Sequence, residues 1–198
     1  MIPVSHGRKR IAVVGDAGVK PGSERYRLAE ALGRGIVDAG YLLVTGGLGG
    51  VMEAACKGGR ASSSWMDGTT VALLPGRDPT DANPYVDIAI PTGLDHGRNQ
   101  LVAQAGAVIA VGGGAGTLSE MAFAWMYRRL IIAMRCGGWS ERLAGQRIDD
   151  RIRYPDVAED CVFGADTPEE ALSLLERYVG LYQRQHRGIP PAGGGQTK

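Results

Sequence analysis

A glycine-rich segment between an apolar run and a helical pattern is the clearest candidate for binding chemistry in this chain. Residues 111–120 read VGGGAGTLSE and continue directly from the apolar run 107–111. A buried strand that ends in glycines and turns into a helix brings backbone amides close to an anion, which the helix N-terminus also attracts. The pattern predicts a phosphate-binding loop. Two simpler interpretations stay open: a tight strand-to-helix turn, or a capping box made by Thr117 and Glu120.

A second glycine-rich segment, TGGLGG at residues 45–50, follows another apolar run. Its candidate ligand-approaching residues are Gly46, Gly47, Gly49 and Gly50. Ligands of open parallel sheets bind beyond the carboxyl ends of the strands, so two loops at strand ends converge on one edge. The presence of two such loops favours an anion site over two unrelated turns.

Two side chains sharpen this hypothesis. Arg98 opens a helical pattern after a PTGLDHG turn, and its planar guanidinium suits a phosphate or carboxylate. The simpler alternative for Arg98 is a surface ion pair with Asp95 or Glu120. A carboxylate is repelled by a phosphate, so Glu120 is expected to face ribose hydroxyls or a water molecule.

Composition excludes several classes of function. The net charge is +1 with interspersed acids and bases, so no basic face predicts nucleic acid or an anionic membrane surface as a partner. No apolar run approaches the ~20 residues of a membrane span, and no signal-peptide pattern begins the chain, so we expect a cytoplasmic protein. The three cysteines and three histidines are scattered, which argues against a disulfide framework and a metal site. We expect no required cofactor.

Alternating apolar runs and helical periodicity predict the fold class. The predicted strands are 10–14, 41–45, 69–74, 86–90, 107–111, 130–134 and 161–163. The predicted helices are 23–39, 51–62, 97–105, 117–129 and 168–182, the last with Thr167 as N-cap. This order indicates an α/β, doubly wound, Rossmann-like parallel sheet with helices on both faces, formed by a single domain over residues 10–183. Residues 1–9 are expected to be a lead-in, 135–160 an excursion beside the ligand site, and 184–198 a disordered tail.

These motifs resemble the LONELY GUY family of nucleoside-monophosphate phosphoribohydrolases, formerly mislabelled lysine decarboxylases. The family pattern Pro-Gly-Gly-x-Gly-Thr-x-x-Glu is matched at Gly113, Gly114, Gly116, Thr117 and Glu120, with Gly112 in place of the proline. A wider stretch, roughly residues 10–180, is more similar to the sister branch of Rossmann-like proteins that includes molybdenum cofactor carriers. Its matching segments are TGGLGGVMEA at 45–54, LPG at 74–76, NPYVD at 83–87, and the pair Arg98 and Asn99.

One departure from the hydrolases bears on activity. They carry Arg-Lys where this chain has Arg98 and Asn99, so a positive charge beside the phosphate is lost. A charge-assisted hydrogen bond contributes ~1.5–3 kcal/mol and a neutral one ~0.5–1.5, so anion binding is expected to weaken about tenfold.

Two functions from different classes follow. The first is a carrier or sensor for a phosphorylated nucleotide-like or pterin-like molecule, such as a nucleoside monophosphate or a molybdopterin-type phosphate. The two glycine loops would hold the phosphate, with Arg98 as counter-charge, Asn99 as a neutral donor and Glu120 on a hydroxyl. The second is a phosphoribohydrolase that cleaves the N-glycosidic bond of a nucleoside 5′-monophosphate, with Arg98 and Glu120 as catalytic residues.

Other functions have little support. A pyridoxal-phosphate decarboxylase needs a Schiff-base lysine, and the chain has few lysines. A dehydrogenase is disfavoured because no clean GxGxxG follows the first strand. The segment 121–127, MAFAWMY, is apolar nearly all round, which either buries it within its own domain or provides a subunit interface. The resemblance, whose members are commonly dimers or tetramers, favours a homodimer or homotetramer.

Overall fold

A seven-stranded parallel sheet forms the centre of the molecule. The computed structural model describes residues 7–183, so the expected tail at 184–198 and most of the expected lead-in lie outside the described residues. The strands are β1 (Arg10–Gly15), β2 (Leu42–Thr45), β3 (Thr70–Leu74), β4 (Ile88–Pro91), β5 (Ala107–Val111), β6 (Leu130–Met134) and β7 (Phe163–Ala165). The helices are α1 (Glu24–Asp38), α2 (Val51–Arg60), α3 (Asn99–Val102), α4 (Ala115–Met126), α5 (Gly138–Leu143) and α6 (Pro168–Tyr178).

The strand order is β4-β3-β2-β1-β5-β6-β7, and every pair is parallel. The order reverses between β1 and β5, so the crevice beyond their carboxyl ends is the topological switch point of the sheet. The predicted α/β doubly wound fold is confirmed.

Alternation along the strands separates two cores. On β1, Ile11 and Val13 pack with α1, α2 and α6, whereas Ala12 and Val14 pack with α3 and α4 on the other face. Both faces of the sheet are covered, which explains why β5 and β6 are apolar at every position.

All seven predicted strands are present, with shifted ends where loops intervene. Strand β7 was predicted at 161–163 but begins at Phe163. The backbone of Val162 pairs with the 145–146 turn: Gly145 donates to the Val162 carbonyl (2.7 Å) and Val162 donates to that of Gln146 (2.8 Å). Strand β4 begins at Ile88 instead of residue 86, because the chain is still turning there, with Val86 N–H bonded to the Asn83 carbonyl.

Helices α1 and α2 lie within two residues of their predicted bounds, and three other predicted helices differ more. The segment 97–105 is a 3₁₀ turn at Asp95–Arg98 followed by the four residues of α3. Helix α4 begins at Ala115 and ends at Met126, earlier at both ends than predicted. Helix α6 begins where its Thr167 N-cap predicts, with the Thr167 hydroxyl accepting from Glu170 N–H, but it ends at Tyr178.

The region 135–160 contains one helix that periodicity did not reveal. Helix α5 begins at Gly138, directly after Gly137, and it is only six residues long; both glycines have positive φ. The remainder is fixed by a buried ion pair between Arg153 and Asp160, with the Arg153 guanidinium 3.6 Å from the centre of the Trp125 ring. The predicted excursion is thus an ordered segment packed on α4.

Candidate functional site

Arg98 brings the two glycine loops together. Its guanidinium lies directly against Gly46, where an added Cβ would be 2.5 Å from Nη1 and 2.6 Å from Cζ. The same Nη1 is 3.1 Å from Oε1 of Glu120, which lies on α4 after the second loop. One side chain therefore contacts the loop after β2 and pairs with the helix after β5. Gly46 must lack a side chain for this contact to form.

The Arg98–Glu120 pair is almost fully buried. The alternative of an ion pair between Arg98 and Glu120 is confirmed in its partner, but the expected surface location is wrong, since Arg98 is 7% exposed and Glu120 is 6% exposed. Nε of Arg98 is also buried, and no atom of residues 7–183 accepts a hydrogen bond from it. Since an unsatisfied buried donor is costly, this nitrogen is a position where a ligand acceptor would be favourable.

Burial raises the pKa of Glu120 to about 7, although the positive charge and hydrogen bond of Arg98 act in the opposite direction. A carboxyl with a pKa near neutrality can exchange a proton at physiological pH, as an acid or base catalyst must. The alternative of a capping box with Thr117 is wrong: the N-cap of α4 is Gly114, and no side chain caps the helix. Glu120 lies in the second turn of α4, and its carboxylate pairs with Arg98 instead.

Asn99, the residue in place of the hydrolase lysine, contacts the first turn of α4. Its Nδ2 donates to the Ser119 hydroxyl at 2.8 Å and lies 3.5 Å from the Gly116 carbonyl oxygen. The Ser119 hydroxyl in turn donates to the Gly116 carbonyl at 2.7 Å. Asn99 is 5% exposed, so its main contact is with the helix start.

The loop after β5 has the backbone conformation that its glycines allow. Gly112 and Gly113 have φ values of 64° and 96°. The side chain of Thr117 occupies the space where a Cβ on Gly113 would lie. The Gly112 amide donates to the Ser140 hydroxyl at 2.8 Å, which joins the loop to α5. Because α4 begins without a side-chain cap, its first-turn amides remain donors for an anion.

The loop after β2 uses two of its glycines for packing. Gly47 has a φ of 79°, and a Cβ there would be 2.6 Å from Cδ2 of Leu74. Gly50 has a φ of 64° and lies against the backbone of residues 16–17. Asn83 braces this loop, donating through its N–H (2.8 Å) and its Nδ2 (3.1 Å) to the Gly47 carbonyl. Gly49 is less crowded, since a Cβ there would be 3.3 Å from the nearest atom.

Sequence reasoning missed Asp16 and Arg25. Asp16 follows β1 at the switch point, where Val51 N–H donates to its backbone carbonyl (3.0 Å) and Gly113 N–H to its Oδ2 (3.1 Å). Arg25 is paired with the same Oδ2 at 3.1 Å. An open cleft of about 630 Å³ lies beside them, lined also by Lys20 and Cys136. Asp16 could be recognised from its position directly after β1, where the strand order reverses. That position is known only once the strand order is known.

Two features of the described part of the chain concern other kinds of site. Within residues 7–183, no three His, Cys, Asp or Glu side chains come together as metal ligands. In the same range, no helix has the length and apolar character to cross a membrane.

Residues 8–172 match the model of the SLOG cluster4 family. The chain belongs to this family. An uncharacterised protein of Archaeoglobus fulgidus is 44% identical over 102 residues, which cover 51% of this chain and 64% of that relative. The match therefore spans less than two thirds of the relative's length.

Solved structures show which members of the superfamily this chain is similar to. The protein TM1055 is 32% identical with a TM-score of 0.71, over 85% of this chain and 99% of that one. The molybdenum cofactor binding protein of Rippkaea orientalis is 30% identical with a TM-score of 0.71, over 87% and 98%. The molybdenum cofactor carrier protein of Chlamydomonas reinhardtii is 26% identical with a TM-score of 0.67, over 87% and 99%. The resemblance to the carrier-like branch of this Rossmann superfamily is confirmed.

Proposed function

We propose that this protein is a carrier or sensor that binds a phosphorylated nucleotide-like or pterin-like molecule at the edge where its two glycine loops meet. The observation that carries the proposal is the guanidinium of Arg98, which contacts Gly46, pairs with Glu120 and keeps a buried Nε without a partner among residues 7–183. The molybdenum cofactor binding protein and the carrier protein among the structural neighbours support a ligand-binding carrier role.

The parts of the site have separate roles in this proposal. The amides of Gly114, Gly116 and Thr117 at the uncapped start of α4 donate to the phosphate. Arg98 supplies the counter-charge. Glu120 accepts from a sugar or ring hydroxyl, and Asn99 holds the loop through its bond to Ser119.

Calorimetric titration with AMP tests the proposal, together with mass spectrometry of anything that copurifies. The wild type should bind AMP, and Arg98→Met should weaken binding at least tenfold, because a charge-assisted bond contributes ~1.5–3 kcal/mol. Arg27→Met, at an exposed position of α1, is the matched control and should bind as the wild type does. No AMP binding and no copurified phosphorylated compound would contradict the proposal.

A second candidate function is hydrolysis of a nucleoside 5′-monophosphate to its base and ribose 5-phosphate. The observation in its favour is Glu120, whose pKa of about 7 suits a group that activates water or stabilises the oxocarbenium-like centre. Incubation with AMP and chromatography for adenine separates the two functions. If hydrolysis occurs, Glu120→Gln should lower turnover by at least ~10² with binding retained. Binding without adenine release favours the carrier.

We also propose that the protein is a homodimer or homotetramer. The inner side of α4 is buried within the chain: Trp125 is 1% exposed and donates to Asp149 at 2.9 Å. The outer side is less covered, with Met126 at 41% exposure beside the stacked rings of Phe123 and Tyr127. A partner subunit would bury that apolar side. Light scattering after gel filtration should show an oligomer, and a monomer at micromolar concentration would refute this.

A further inference from the structure

A carboxylate of the chain itself lies at the edge of the proposed anion site. Oδ2 of Asp16 accepts a hydrogen bond from Gly113 N–H at 3.1 Å and is paired with Nη1 of Arg25 at 3.1 Å. A backbone amide beside a helix start and a guanidinium are the groups that bind phosphate oxygens. Arg98, at the same edge of the sheet, adds a buried Nε without a partner in the described residues.

The Asp16 side chain has open space beside it into which it could turn if its two contacts were replaced. The Asp16 backbone is fixed, since its carbonyl accepts from Val51 N–H at 3.0 Å. Its side chain is 34% exposed and borders the open cleft, which has room for a displaced carboxylate near Lys20.

Arg25, by contrast, is anchored independently of Asp16. Its Nε donates to the Cys136 carbonyl at 2.8 Å, and its Cδ and Nε lie 2.9 Å from where a Cβ on Gly112 would be. If Asp16 turned away, the Arg25 guanidinium would remain beside the loop. Its Nη1 would then lack its present acceptor.

We propose that Asp16 is an internal competitor for the phosphate. In the free protein it holds the Gly113 amide and Arg25, and an incoming phosphate takes both by displacing it. Arg25 thereby becomes a second cation of the binding site, in addition to Arg98. This inference rests on the proposed function and adds to it what limits the affinity for the ligand. A carrier must also release its ligand, and a carboxylate that competes with the phosphate lowers the affinity.

Calorimetric titration of four proteins with AMP and with inorganic phosphate tests the inference. They are the wild type, Asp16→Asn, Asp16→Ser and, as matched control, Glu24→Gln, which removes an exposed carboxylate lining the same cleft. Asp16→Asn keeps an acceptor for the Gly113 amide but removes the charge, so it should bind AMP and phosphate about tenfold more tightly. Asp16→Ser should also gain affinity and replaces Asp16→Asn if that variant fails to fold. Glu24→Gln should stay within about twofold of the wild type.

The results separate failure of this inference from failure of the proposed function. Wild-type AMP binding that is unchanged or weakened in both Asp16 variants overturns the competitor and leaves the proposed function standing. An equal gain in Glu24→Gln also overturns it, because the effect would then be general electrostatics of the cleft. Absence of AMP and phosphate binding in all four proteins overturns the competitor, and it overturns the proposed function as well when no phosphorylated compound copurifies. Tighter binding in the Asp16 variants alone supports the competitor.

Discussion

Replacing Gly46 by alanine tests the junction between the two loops without removing any charge. Gly46 does not have a positive φ, so alanine is compatible with the backbone. The added Cβ would lie 2.5 Å from Nη1 and 2.6 Å from Cζ of Arg98, against about 3.4 Å for ordinary contact. Nη2 of Arg98 would be closer still, so the guanidinium must move by about 1 Å, which disrupts its hydrogen bond to Glu120.

The expected loss of affinity follows from moving the guanidinium away from the ligand. A charge-assisted hydrogen bond from Arg98 to the phosphate contributes ~1.5–3 kcal/mol, so Gly46→Ala should lower AMP affinity roughly 10- to 150-fold if Arg98 is the counter-charge. The strained ion pair with Glu120 also lowers the free energy of unfolding, and the melting temperature should fall by about 2–4 °C for each kcal/mol. Calorimetric titration with AMP and thermal unfolding measure the two effects.

Gly49→Ala is the matched control in the same loop. Gly49 also lacks a positive φ, and its Cβ would be 3.3 Å from the nearest atom, so it should retain affinity within about threefold. If Gly46→Ala binds AMP as tightly as Gly49→Ala, Arg98 does not act on the ligand from its present position, and the reasoning is refuted.

Three further predictions concern pH, stability and assembly. Sulfate should bind more tightly as the pH falls from about 8 to about 6, a range in which its own charge is constant. The reason is that Glu120, with its pKa raised to about 7, takes up a proton and releases Arg98. A flat pH profile of the wild type would contradict this, whereas Glu120→Gln should make the profile flat. Arg153→Met removes the partner of Asp160, both of them buried, so unfolding should be easier by ~3–5 kcal/mol, and a melting temperature equal to that of the wild type would refute the importance of this pair. Met126→Asp should shift the mass in light scattering towards the monomer, and an unchanged oligomer would place the interface elsewhere.

The sign of the pH effect on stability follows from the same carboxyl. Since the folded pKa of Glu120 lies above its usual value of 4.5, the protonated form is favoured in the folded protein. Its contribution to the free energy of unfolding is fully present below about 4.5 and is lost as the pH rises through about 7. Glu120→Gln should reduce this dependence in thermal unfolding measured across the range.

The sequence predicts the sheet well because burial on both faces leaves an unambiguous pattern. Strands β5 and β6 match their predicted bounds, since every position is apolar and turn residues flank them. Helix α5 was missed because six residues, the first of them a glycine, show too little periodicity. The conformation of segment 135–160 could not be predicted for a different reason. Arg153 pairs with Asp160 and lies over the Trp125 ring, and no local spacing in the sequence reveals these contacts.

The residues of the candidate site also divide into those that the sequence predicts and those that only the structure reveals. Arg98 and Glu120 were found from the motif, and the structure brings them into contact with each other. Asp16 and Arg25 could not be found, because their roles depend on β1 lying beside β5, which is a property of strand order. The sequence predicts the glycines as ligand-approaching residues, and that stays a prediction. Gly47 also has a positive φ and lies close to Leu74, two further reasons for glycine that the sequence did not reveal.

A crystal structure of the protein with AMP tests the central claim most directly. The phosphate should lie at the start of α4 within hydrogen-bond distance of the Gly116 and Thr117 amides, with Arg98 beside it and the Asp16 carboxylate turned away from Gly113. AMP bound at another surface, with the Asp16 bond to Gly113 intact and only solvent at the start of α4, would contradict the account.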